Sequence, residues 1–127
     1  MVEATSLPAA WQVRFQAGGN EGRADTVKDG TGGSAGLRPH ELLEASLATC
    51  MTISARMALA DLGVPDGEVR VRVRLERERS ATRFRYELIL DPALEPYRPA
   101  VTERIERTPV RSTLSRPLFF EPAATRT

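Results

Sequence analysis

One cysteine, one tryptophan and one lysine are all that this 127-residue chain holds of three informative residue types. A lone thiol excludes an intramolecular disulfide. Cys50 is therefore either an inert packing residue or a reactive thiol that something outside its own chain must resolve. Lys28 is the single lysine, so arginine carries nearly all the positive charge, a bias that fits a GC-rich genome rather than a chemical requirement. Aromatic residues make up 6% of the chain and the net charge is +1. Without a basic excess or interleaved aromatics, nucleic acid is not an expected partner. No apolar run reaches the roughly 20 uncharged residues that span a bilayer, because Arg56 and Asp61 interrupt the best one. A membrane is not an expected partner either. The start, Met1 to Pro8, has no basic stretch leading into an apolar one, so a secretory signal is not expected. One thiol and no signal fit a reducing, cytoplasmic setting.

What is present suits one domain of modest core. Trp11 to Phe15 alternates as a half-buried strand. Gly18-Gly19-Asn20 is a turn, Arg23 to Lys28 a second strand, Asp29-Gly30 a turn, and Thr31 to Gly36 a Gly/Ser loop. Pro39 suits the first position of a helix and Gly63 the residue just past its end, which predicts a helix from about Pro39 to Leu62. Glu41 and Glu44 place negative charge near its positive end. From Ala45 to Ala60 that helix is apolar on almost every side, broken by small hydroxyls and Arg56. It reads as buried, and a second subunit is the obvious cover.

Val69, Val71, Val73 and Leu75 alternate with Arg70, Arg72, Arg74 and Glu76, the clearest strand in the chain. Phe84, Tyr86, Leu88 and Leu90 repeat the pattern after a connection at Arg79 to Ala81. Leu94 to Pro99 reads as irregular, Ala100 to Arg107 and Pro109 to Leu114 as helices, Pro117 to Phe120 as a last edge strand, and Ala123 to Thr127 as loose. The order gives an α+β domain with helices segregated from an antiparallel sheet. The arginine-lined strand face is most simply a solvated face interleaved with Glu68, Glu76 and Glu78.

Three stretches carry a resemblance: Gly18 to Arg23 ahead of Asp29-Gly30, Pro39-His40-Glu41-Leu42-Leu43 leading to Cys50, and Thr108-Pro109-Val110. Together they resemble the OsmC/Ohr family of thiol-dependent peroxidases acting on organic hydroperoxides, over about residues 12–120. The resemblance implies an intertwined homodimer whose long central helices pack together. It implies that Cys50 attacks the peroxide. A second cysteine, which resolves the sulfenic acid in that family, maps onto Thr108. The arginine that holds the thiolate maps onto Asn20, with Arg23 as a stand-in. The glutamate that pairs with it maps onto His40, with Glu41 beside it. The implied catalytic set is Cys50, Glu41, Arg23 and His40, with no cofactor or metal and an external thiol or dithiol as reductant.

The chemistry limits that set. An ordinary thiol, with pKa about 8.5, is only a few per cent thiolate at neutral pH, and the helix dipole fades after the first turn. A cation near Cys50 is needed, from Arg23, Arg56 or His40. His40 and Glu41 precede Cys50 by nine or ten residues, about 14–15 Å along a regular helix. They would meet the Cys50 of a second, antiparallel helix, not their own. The expected interface is made by Ala45, Ser46, Ala48, Thr49, Ser54 and Ala55 for close approach, with Leu42, Leu47, Met51 and Met57 for apolar area. The rival expectation is a relative without peroxidase activity, whose cleft binds a small apolar molecule or is purely structural.

Overall fold

A computed structural model of the chain describes residues 1–124. Seven strands, three α-helices and a 3-10 turn form two compact units, each drawn from two stretches of chain. The first comprises residues 1–46 and 73–85, the second 47–72 and 86 onward. Antiparallel strand pairs and separate helices make the class α+β, as the pattern predicts.

In the first unit, β1 (Glu3–Ser6), β2 (Val13–Ala17) and β3 (Asn20–Ala24) form an antiparallel meander. Gly18 and Gly19 close the β2–β3 hairpin, with Ala17 opposite Asn20 and Gly18 at φ +58°. Such a two-residue turn matches the twist of the strands it joins. Phe15 lies across from Gly22, where a Cβ would come within 2.5 Å of the ring. The predicted strand from Arg23 to Lys28 is divided. Ala24 ends β3, Asp25 turns inward, and β4 (Val27–Lys28) pairs with β5 (Thr31–Gly32) instead. β1 was not expected from the sequence, because Glu3 to Ser6 is exposed throughout and shows no apolar alternation.

The long helix α1 (Pro39–Asp61) matches expectation within a residue. Glu41 Oε1 accepts the Arg38 N–H at 2.9 Å, the reciprocal half of a capping box. At the far end, Gly63 has φ +81°, Val64 N–H bonds Leu59 O and Gly63 N–H bonds Ala60 O. Those two bonds are a Schellman termination, which glycine adopts without Cβ strain. By length and composition alone α1 reaches the threshold for crossing a membrane, with a mean hydropathy of 1.2. The core helices of soluble folds reach it too.

The second unit holds the apolar core. Leu47, Met51, Ala55, Ala58 and Leu59 of α1 are buried, as are Leu90, Leu94, Val101 and Ile105. Strands β6 (Val69–Arg77) and β7 (Thr82–Leu90) form a hairpin whose ends belong to this unit and whose turn belongs to the first. Pro92–Tyr97 is a 3-10 turn rather than irregular chain, followed by α2 (Arg98–Ile105) and α3 (Pro109–Leu114). Arg104 Nη1 pairs with Asp61 at 3.1 Å, placing a cation beside an acidic residue at a helix C-terminus, where the dipole disfavours it.

The last edge strand is a further expectation that is corrected. Pro117 to Phe120 forms no strand, and Leu118, Phe119 and Phe120 stand in solvent. Pro117 lacks a backbone N–H to donate to a ladder, which disfavours strand pairing there. α1 leaves Leu43, Ile53 and Met57 exposed, the part of the helix for which a second subunit is the expected cover. The expected loose tail from Ala123 to Thr127 has no regular secondary structure at residues 123 and 124, and its last three residues lie outside the described ones.

Candidate functional site

Cys50 is a free, half-buried thiol in the second unit. Its neighbour Met51 is wholly buried. At about 100° per residue, Cys50 falls on the flank of the buried stripe. It shares that flank with Leu43, Ile53 and Met57, which follow one another at alternating heptad intervals and are 41%, 53% and 53% exposed. Ile53, Arg56, Met57, Ala60 and Pro65 line a groove of about 300 Å³ on the same helix. Arg56 is therefore the cation this unit presents nearest in sequence to Cys50, and it is exposed.

Thr108 is 1% exposed. Its backbone is extended at the start of α3, and its carbonyl accepts the Ser112 N–H, as a cap residue's does. The hydroxyl does not cap the helix. It donates backward to Ile105 O at 3.1 Å. The position is a satisfied polar group in a core.

Arg23, His40 and Glu41 belong to the first unit. Arg23 is exposed on β3, opposite Arg14, and its carbonyl accepts the Leu37 N–H at 3.1 Å. His40 is exposed in the first turn of α1. Glu41 is held by the Arg38 N–H. Among the described residues no ion pair joins these three side chains. Asn20 opens β3 and is exposed. The expected catalytic set thus divides: Cys50 in one unit, Arg23, His40 and Glu41 in the other.

Two polar anchors escaped the sequence reading. Glu44 Oε2 accepts the Leu75 N–H at 2.8 Å, tying the start of α1 to β6. Asp25 is 2% exposed and accepts the N–H groups of Thr26 at 2.8 Å and Ala35 at 3.0 Å. The Ala35 bond foremost, with Thr26 and Gly33, holds its carboxyl below the usual range against the opposing effect of burial. An acid a few residues ahead of a glycine-rich loop was the available signal. Among the described residues no group of three or more His, Cys, Asp and Glu side chains could hold a metal ion.

A family model described as OsmC-like protein matches residues 30–122. The chain belongs to the OsmC-like family. The match includes α1, Cys50 and Thr108, and leaves the β1–β3 meander outside it. No curated protein matches significantly. Among solved structures, a candidate osmotic stress induced and detoxification response protein from Psychrobacter arcticus is 17% identical, with a TM-score of 0.73 over 88% of this chain and 85% of that one. An OsmC-like protein from Mycoplasma pneumoniae is 14% identical, with a TM-score of 0.67 over 91% and 86%. An organic hydroperoxide resistance protein OsmC from Legionella pneumophila is 14% identical, with a TM-score of 0.59 over 90% and 87%. At these identities the likeness is one of fold. It covers 88–91% of this chain.

Proposed function

We propose that this OsmC-like protein is a cytoplasmic homodimeric hydroperoxide reductase working through Cys50 alone. The observation that carries the reading is the position of Cys50: on the central helix, within the family match, and partly accessible while Met51 beside it is sealed. The thiolate attacks one peroxide oxygen. An S–O bond forms, the O–O bond breaks, and the departing alkoxide takes a proton to leave as alcohol. Sulfur is oxidised to the sulfenic acid as the peroxide is reduced. An external thiol then displaces water to give a mixed disulfide, and a second thiol releases Cys50.

The activating cation is assigned to a second copy. In this reading, the stripe of Leu43, Cys50, Ile53 and Met57 follows the spacing of a helix–helix seam. Packing it on its symmetry mate brings the partner's helix start toward Cys50, with Arg23, Glu41 and His40 as the groups that polarise it. Leu47, Met51 and Ala55 take no part, because the chain buries them itself.

The non-catalytic reading has its own observation in favour. Glu41 already serves the helix start, and Thr108 already satisfies its hydroxyl. Cumene hydroperoxide consumption with dithiothreitol separates the two. Wild type should turn over, and Cys50→Ser should fall to the uncatalysed rate. Equal rates in both proteins would remove the peroxidase assignment.

A further inference from the structure

We propose that the first unit binds a small organic anion with an apolar body, an aryl or medium-chain alkyl carboxylate, in the groove beside Trp11. The groove measures about 590 Å³, within the range of small-molecule sites. Leu7, Pro8, Ala10, Trp11 and Val13 give it an apolar floor, and Lys28 is the one charged side chain that lines it. Among the described residues Lys28 makes no ion pair. A concave apolar surface with one unmatched cation fits an apolar molecule carrying one negative charge.

Local backbone strain points the same way. Trp11 sits at φ +66°, a conformation a bulky side chain rarely takes. Gly32, at φ +103°, makes room for it: a Cβ there would lie 2.7 Å from Trp11 Cδ1 and 1.9 Å from Thr26 O. The chain thus holds an indole, 55% exposed, in a strained setting with a glycine kept beneath it. Strain of this kind persists where the surroundings impose it, and it concentrates at ligand sites. An exposed indole face offers stacking for an aryl group or cover for an alkyl chain. The site uses neither Cys50 nor any residue of the proposed peroxidase, so the two readings stand or fall separately.

Trp11 is the only tryptophan, so intrinsic fluorescence reports this groove directly. Full-length Cys50→Ser protein would be titrated with 4-phenylbutyrate and with 4-phenylbutanol. The carboxylate should give a saturable change in emission at lower concentration than the alcohol. Lys28→Met should weaken the carboxylate by about two- to fivefold, as for an exposed ion pair, and leave the alcohol unchanged. Ala10→Glu, which sets a like charge in the groove, should abolish carboxylate binding by calorimetry. No saturable response up to millimolar ligand, by emission or by heat, overturns the proposal. So does equal carboxylate affinity in Lys28→Met. Emission that shifts with protein concentration but ignores ligand would mean that a second copy covers the groove, which also overturns it.

Discussion

Replacing Ile53 by glutamate should convert the proposed dimer into a folded monomer. Ile53 and Met57 are each 53% exposed and Leu43 41%. Full burial of such a side chain is worth about 1.5–3 kcal/mol, so covering the exposed half of each yields about 0.7–1.5 kcal/mol. Two-fold symmetry doubles the set to six side chains, for about 4–9 kcal/mol in all. Association itself costs about 4–15 kcal/mol, so the seam is close to balance and other apolar groups must contribute. Phe119 and Phe120, 81% and 91% exposed, are available. Against that margin, Ile53→Glu removes about 1.5–3 kcal/mol across both copies and sets two carboxylates against apolar surface. The sum is at least about 3 kcal/mol, more than a hundredfold in dimer dissociation constant at 1.4 kcal/mol per decade. The monomer should keep its stability within about 0.5 kcal/mol, since the replaced side chain lies outside its core. Sedimentation velocity across the micromolar range measures the first effect and urea unfolding the second. Wild type sedimenting as a monomer, or Ile53→Glu dimerising as tightly as wild type, would refute the seam.

Three further outcomes follow from other parts of the fold. Asp25 has a carboxyl pKa lowered by folding, so its contribution is present above the ordinary value of 3.8 and is lost as pH falls through the folded value. Hydrogen exchange at Ala35 and Thr26 should accelerate in that acid window, while Asp25→Asn should exchange faster at neutral pH and lack the acid step. Gly32→Ala should destabilise by at least about 1 kcal/mol, because it combines positive φ with a clash on Thr26 O; denaturant unfolding unchanged from wild type would contradict the geometry. Thr108→Val should cost about 1 kcal/mol in the same assay, by leaving the Ile105 carbonyl short of its hydroxyl donor.

The sequence was most readable where one periodicity ruled a long segment. Pro39 and Gly63 bracket α1 because each residue has one favoured role at a helix end. The β6–β7 hairpin was visible because apolar and charged residues alternate from Val69 to Glu76. Reading failed where partners decide. Glu3 to Ser6 becomes a strand because β2 offers it a ladder, and Pro117 to Phe120 forms none. The helix pattern told that α1 was apolar but not which flank the chain would fill for itself. Leu47 and Met51 were read as an interface and turned out to be core. For the site, Cys50, Thr108 and the start of α1 could be aligned by motif. Asp25 could not, because its role rests on N–H groups up to ten residues away.

The departures from the family pattern share one property that bears on mechanism. Thr108, in the place of the resolving thiol, is sealed in the core with its hydroxyl spent on Ile105. Glu41, one residue past the usual carboxylate position, is spent on the Arg38 N–H. Asn20, in the place of the arginine, opens β3 directly after the two-glycine turn. Each has a sufficient local role, so each substitution could be retained with no peroxide chemistry at all. Cys50 is different: a partly exposed thiol beside a sealed methionine gains the chain little packing that alanine or serine would not supply. Proposed catalysis therefore depends on Cys50 and on a cation that a second copy supplies, with Arg23 and His40 as its candidate sources, and not on Thr108 or Asn20. In the chemistry proposed above, a buried Thr108 also means that reduction must come to Cys50 itself. Turnover should then rise with the concentration of external dithiol until a later step limits it, whereas an enzyme with its own resolving thiol would form an internal disulfide before meeting reductant.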